Sequence, residues 1–218
     1  MAVAGNIARV PGRGRPSGRD AEIASRRRND ILTAAIAVIA DHGLSGVTME
    51  LVADAAGVSP GTVTFHFVKK EQLLLSVLDT VVGEFEQARH AAIARADGDC
   101  EAALDGIIDV TFDADTSSVE RVAVWYAFWG EAKARNIYLN RVGHHDQAYQ
   151  ADLVRLFSQL AKAGGYRNLN AEVMAGGFAG YLEWLWQGAI TDGDRFDRAA
   201  ARLRARAYLN GVFERHFR

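Results

Sequence analysis

The side chains able to do chemistry in this 218-residue chain fall into two groups, and both suit binding rather than turnover. The first is a run of hydroxyls, an imidazole and two ammonium groups: Thr48, Ser59, Thr62, Thr64, His66, Lys69 and Lys70. Short donors of this kind hydrogen-bond phosphate oxygens and base edges, and ammonium groups neutralise phosphates. The second is a set of aromatic rings mixed with acids. Trp125, Tyr126, Phe128 and Trp129 crowd one segment, Phe112 and Asp113 precede it, and Phe178, Tyr181, Trp184 and Trp186 crowd another around Glu183. A well-placed, desolvated ring contributes up to about 2 kcal/mol to binding a cation. Rings beside an acid suit a quaternary ammonium, which cannot donate a hydrogen bond. The plainer alternative is that aromatics at helical spacing form core or a dimer interface.

No constellation for catalysis accompanies them. The six histidines, at 42, 66, 90, 144, 145 and 216, show no His-Glu-x-x-His spacing, and Cys100 is alone. His144 and His145 are neighbours, and neighbours on a helix point about 100° apart, which does not suit a shared metal. There is no P-loop and no dinucleotide fingerprint. The expectation is a non-enzyme with no cofactor and no metal.

The elements that position the first group are legible residue by residue. Thr48 is an N-cap, with Val47 and Val52 as a hydrophobic staple. Ala53 is small enough for a second helix to approach, and Gly57 supplies the positive φ of a tight turn. Ser59 caps the next helix, Pro60 occupies its first position, and Val58 and Val63 repeat the staple. Together they predict a helix-turn-helix. Leu73, Leu74, Val77, Leu78 and Val81 then recur at helical spacing, so Lys69 and Lys70 stand where that helix begins. Cations there cost about 0.3–1 kcal/mol each against the helix dipole unless an anion is present. A phosphate supplies that anion; a merely solvated charge is the alternative for Lys69.

Residues 48–74 resemble the DNA-binding domain of the TetR family of repressors. The pattern Ser-x-Gly-Thr-hydrophobic-x-x-His-Phe, then Lys and two hydrophobics, is met by Ser59, Gly61, Thr62, Val63, His66, Phe67, Lys70, Leu73 and Leu74. Thr64 stands where that family often carries a tyrosine that touches the DNA backbone. The resemblance implies a DNA-binding set of Arg26, Thr48, Ser59, Gly61, Thr62, Thr64, Phe65, His66, Lys69 and Lys70. Thr62 and Thr64 are the candidates for base edges or a thymine methyl, and Thr48, Ser59, His66 and Lys70 for the backbone. Val63 and Phe67 are expected in the core, and Phe65 fits either core or surface, with surface the favoured place.

Charge distribution agrees. Residues 1–29 hold seven Arg against Asp20 and Glu22, a surplus of five, so the remainder carries −7 within the formal total of −2. A basic end on an acidic body is expected when one end docks on DNA. Gly12-Arg13-Gly14-Arg15-Pro16 resembles the core of an AT-hook, whose Arg13 and Arg15 would enter a narrow minor groove or attract phosphate generally. Arg26, Arg27 and Arg28 are expected to open the first helix, again where an anion would be welcome.

All three prolines, Pro11, Pro16 and Pro60, lie in the first 60 residues, and strand-type alternation is absent, so the fold is expected to be all-α. Residues 1–20 read as a disordered basic arm, 21–68 as the DNA-binding domain, and 69–218 as a ligand-binding and dimerisation domain. Helices are expected at about 22–42, the two of the helix-turn-helix, 69–95, 100–113, 118–134, 137–163, 169–190 and 194–216; nine is also what the resemblance implies. The lone cysteine, the lack of an apolar run of about 18 residues and the lack of a secretory signal fit a cytoplasmic protein without a membrane span.

The segments Thr111-Phe112-Asp113, Trp125-Tyr126-Ala127-Phe128-Trp129 and Tyr181-Leu182-Glu183-Trp184-Leu185-Trp186 are similar to the effector domain of BetI-type repressors. That resemblance implies choline or another cationic amine as ligand, with Phe112, Asp113, Trp125, Tyr126, Trp129, Tyr181, Glu183 and Trp184 as the binding set. Ala175, Gly176, Gly177, Ala179 and Gly180, with Leu203, Tyr208, Leu209, Val212 and Phe213 on the last helix, are expected to form the homodimer face. The reading is a repressor on double-stranded, near-palindromic operator DNA, released by a small molecule; the alternative is an architectural DNA-binding protein without an effector.

Overall fold

A computed structural model describes residues 18–217, with the side chains of 132–135, 137, 138 and 194 outside that description. Among the described residues there are nine α-helices and one short 3-10 turn: α1 (Gly18–Gly46), α2 (Met49–Ala56), α3 (Pro60–His66), α4 (Lys70–Arg95), α5 (Cys100–Thr111), α6 (Val119–Gly130), α7 (Ala132–Gly164), α8 (Ala171–Thr191) and α9 (Arg198–Val212). Caps set the boundaries. Thr48 accepts the Leu51 amide at 3.1 Å and Ser59 accepts the Thr62 amide at 3.2 Å. Asp99, Ser118, Asn170 and Asp197 do the same for α5, α6, α8 and α9. Gly57 takes φ 63° at the turn between α2 and α3, and Gly43 takes φ 66° where α1 breaks.

Several expectations need correction. Gly18–Asp20, assigned to the arm, form the first turn of α1; Asp20 complements the dipole there, and the following Ala-Glu-Ile-Ala run favours helix. Arg26, Arg27 and Arg28 therefore sit two turns inside α1, not at its opening, and the helix-end argument for them fails. The boundary between α6 and α7 falls at Glu131, and α9 stops at Val212. Arg13 and Arg15 lie outside the described residues.

Two hydrophobic cores result. The first joins α1, α2 and α3 to the near end of α4 through Ile31, Ile39, Val52, Val63, Phe67, Leu73, Val77 and Val81. It does not stop at residue 68: Val124 and Phe128 of α6 and Val142 of α7 belong to it. The second is built by α5, α7, α8 and α9 around Leu104, Ile107, Phe157, Phe178 and Phe213. Helix α4, about 39 Å long at 1.5 Å per residue, touches both. Arg198 and Arg202 of α9 clamp the end of α5 and the loop after it, donating to the carbonyls of Asp113 (3.2 Å), Ser117 (2.9 Å) and Phe112 (2.8 Å). Ala175, Leu209 and Phe213, expected on a dimer face, are buried in this second core instead. The outward surface of α8 and α9 is formed by Val173, Gly176, Gly177, Trp184 and Leu203. No helix among the described residues is long and apolar enough to cross a membrane.

Candidate functional site

The helix-turn-helix presents a small face. Phe65 is exposed at 80% beside exposed Gly61 and Thr64, with Thr62 and His66 half-buried, while Val63 and Phe67 are in the core. The Thr64 hydroxyl donates to the Pro60 carbonyl at 3.0 Å, and the Thr62 and Ser59 hydroxyls share a hydrogen bond at 2.9 Å. Lys69, the residue before α4, is exposed. Lys70 is half-buried and its ammonium donates to the Ser45 carbonyl at 3.1 Å, tying the start of α4 to the end of α1. Arg26 is exposed; Arg28 lies 4.9 Å over the Phe67 ring and donates to Ser76 at 3.1 Å, so it braces the head.

The body contains a cavity of about 350 Å³. Helix α4 contributes Val82, Phe85 and Glu86; α5 contributes Thr111; α6 contributes Trp125, Tyr126 and Trp129. Helix α7 adds His145, Asp146, Tyr149 and Gln150, and α8 adds Ala179, Gly180, Leu182, Glu183 and Trp186. The rings form one continuous edge-to-face chain. Tyr149 meets Phe85 at 6.4 Å, Phe85 meets Trp125 at 6.4 Å, and Trp125 meets Trp186 at 6.0 Å, each near 78°. Tyr126 lies against Trp186 at 6.0 Å.

Polar groups in the wall are of two kinds. Glu86, Asp146 and Glu183 supply carboxylates. Glu86 is held 2.8 Å from fully buried Arg89 and 3.3 Å from His145, while Arg89 also pairs with Asp152 and sits over the Tyr149 ring. The donors are the Trp186 indole N–H, buried without an acceptor among the described residues, and Tyr126 Oη, whose polar neighbour Gln187 does not complete a hydrogen bond of good geometry. Burial pushes both the Tyr126 and Tyr149 phenols up, so both stay neutral and able to donate.

Of the eight residues expected around a ligand, Trp125, Tyr126, Trp129 and Glu183 line the cavity. Phe112 does not: it is fully buried in the second core against Phe196. Asp113 does not either; its carboxylate accepts the amides of Asp115 and Thr116 and closes a turn, and the bond from the Thr116 amide above all holds its pKa below the ordinary range. Thr111, one residue before Phe112, is the group that reaches the cavity. Tyr181 and Trp184 stack on each other at 5.8 Å, and Tyr181 stacks on Tyr208 at 5.3 Å, on another face of α8. The helical period explains it: Glu183 and Trp186 share the cavity stripe at i, i+3, and residues two positions earlier lie about 200° away. Phe85, Glu86 and Tyr149 escaped the sequence reading because they stand singly on α4 and α7, outside any aromatic cluster.

A helix-turn-helix head over an aromatic, acid-rimmed cavity in an all-α body is a known arrangement. A model of the bacterial regulatory proteins of the tetR family matches residues 31–77, and one of the C-terminal domain of the BetI-type transcriptional repressors matches 100–214, more than half of the chain. The chain belongs to the TetR family. Within it, the HTH-type transcriptional regulator BetI of Paraburkholderia xenovorans is 28% identical over 187 residues, 85% of this chain and 93% of the relative. A candidate transcriptional regulator from Pseudomonas aeruginosa PAO1 superposes with a TM-score of 0.70 at 26% identity, over 89% of this chain and 95% of the other. AibR, solved with isovaleryl coenzyme A and operator DNA, shares the fold with a TM-score of 0.63 at 21% identity, over 86% and 98%. This TetR-family chain is therefore a transcriptional regulator with a BetI-type C-terminal domain, its head the DNA-binding part.

Proposed function

We propose that the protein is a homodimeric repressor that holds a near-palindromic operator and lets it go when a cationic small molecule, choline or a related amine, enters the cavity of the body. The observation that carries this reading is the ring chain Tyr149–Phe85–Trp125–Trp186–Tyr126 with Glu86, Asp146 and Glu183 in the same wall. Ring faces and carboxylates both favour a positive charge. The orphan Trp186 N–H favours an acceptor atom on the same ligand, since a buried donor without a partner costs about 1–3 kcal/mol. The phosphates of a coenzyme A thioester, such as the isovaleryl coenzyme A in complex with AibR, would meet three carboxylates.

Release follows from packing. Helix α6 lines the cavity with one side and enters the head's core with the other, so a ligand that shifts α6 relative to α4 moves the heads. In a dimer joined through the outward faces of α8 and α9, the two copies of α3 must sit about 34 Å apart to read successive turns of one duplex face. A ligand that favours another spacing weakens DNA binding by population shift. Glu183 and Trp129 at the mouth, Lys69 and Lys70 at the head and Arg13 and Arg15 in the arm are the groups assigned to ligand and phosphate. The chain thus acts by binding and not by turnover.

The test is retardation of fragments from the region upstream of its own gene at low ionic strength, followed by titration with choline, betaine aldehyde and a panel of neutral and anionic compounds. Retention relieved by the cations alone is the expected result. Retention indifferent to every compound would favour the architectural alternative, and no retention would remove the repressor reading.

A further inference from the structure

Helix α3, residues Pro-Gly-Thr-Val-Thr-Phe-His, contains no Arg, Lys, Asn, Gln, Asp or Glu. The side chains that pair with guanine or adenine edges through two hydrogen bonds, and the carboxylates that accept from cytosine N4, are therefore missing from this helix. The hydroxyls replace them only in part. Thr64 has spent its one O–H on the Pro60 carbonyl, and Thr62 shares its hydrogen bond with Ser59. The side chain that projects furthest is apolar: Phe65 is the most exposed large apolar side chain among the described residues, at 80%, followed by Val68 just beyond the helix at 71%. The Phe65 ring is braced edge-on by His66, with centroids 5.2 Å apart at 85°. A monomeric surface gains nothing from such a ring.

Resting on the DNA-binding reading above, we infer that Phe65 reads the operator through the C5-methyl group of thymine. That methyl is the one apolar feature of the major groove, and phenylalanine is among the side chains that contact it. Phosphate contacts from Lys69 and Lys70 set affinity without regard to sequence, so discrimination opposite Phe65 falls to a methyl group. The preferred half-site carries a T·A pair facing Phe65.

The experiment starts by selecting a duplex from a randomised pool with the full chain, then replacing each thymine in turn by deoxyuridine, which removes only the methyl. Loss of one methyl contact should weaken binding about 4-fold, and about 15-fold when both symmetry-related thymines are replaced, the scale of one methyl group transferred per half-site. In Phe65→Ala the same replacement should change affinity less than 2-fold, and Phe65→Leu should keep most of the discrimination. A selected duplex indifferent to deoxyuridine at every position would overturn the inference while leaving the DNA-binding reading intact. So would full thymine dependence surviving in Phe65→Ala. Failure to select any duplex would overturn both.

Discussion

Phe128 and Trp129 are consecutive on α6 and serve different parts of the molecule. Phe128 is buried in the core shared with the DNA-binding head, whereas Trp129, 48% exposed, stands at the mouth of the cavity. Val124 and Trp125 repeat the division one turn earlier, with Trp125 reaching both the core and the cavity. A helix that is wall on one side and core on the other cannot move for a ligand without moving the head, because packed interiors do not absorb displacement.

Trp129→Ala separates the two duties. The ring is half in solvent, so its loss should change the unfolding midpoint little, but it should cost about 1 kcal/mol of cation binding, roughly a 5-fold rise in Kd for choline. Calorimetric titration with choline, beside thermal unfolding, checks both. A fall in dimer content with unchanged choline affinity would assign the ring to an interface.

Arg89 is the most heavily committed charge in the body: fully buried, it holds Glu86 of its own helix and Asp152 of α7. Arg89→Met should destabilise the fold by about 3 kcal/mol, since it removes the buried cation that Glu86 and Asp152 share. The double variant Arg89→Met with Glu86→Gln should recover part of the loss. Urea unfolding measures both, and a single-variant loss under about 1 kcal/mol would contradict the role assigned to the pair.

Asp152 makes the fold acid-sensitive. Burial alone would raise its carboxyl, but hydrogen bonds from Arg155 and Arg89 outweigh it and hold the pKa below the ordinary range. The unfolded chain then binds the proton more readily, at about pH 3.9. The stabilisation is complete above that value and is lost as pH falls through the lower folded one. The drop in unfolding midpoint between pH 6 and pH 3 should be smaller in Asp152→Asn than in the parent. An equal drop would show that other carboxyls, such as Asp113 and Glu120, carry the effect.

At the head, Lys69 and Lys70 should differ although they are neighbours. Lys69→Ala should weaken all duplexes alike and reduce the salt slope of log K by about 1.8, one phosphate contact for each subunit of the dimer, with no change in stability. Lys70→Ala should do the same and also lower the melting temperature, because its bond to the Ser45 carbonyl is lost. Binding isotherms from 50 to 300 mM salt decide this; a loss confined to one base pair would contradict a phosphate role for either.

Local chemistry was readable where one residue settles one geometry. Thr48, Gly57, Ser59 and Pro60 define the turn and its caps without help from the rest of the chain, and the structure has them so. The cavity was readable only in half. Trp125 and Trp129 announce themselves by spacing, but Phe85 and Tyr149 join them only because α4 and α7 converge on α6, and no local pattern encodes that convergence. Phe112-Asp113 and Trp184 misled for the same reason. Type and proximity in sequence fitted a cation site, and the α5 C-terminus and the helical phase of α8 turned them elsewhere. The start of α1 was hidden by an Arg/Gly-rich composition whose boundary with helix is two or three residues wide.

The central claim is that cavity and head are one coupled system, and linkage tests it most directly. The Kd of choline is measured by quenching of the tryptophan fluorescence, with and without saturating operator. Coupling predicts that operator raises the choline Kd by the same factor by which choline raises the operator Kd. A choline Kd unchanged by operator, with quenching intact, would contradict the account.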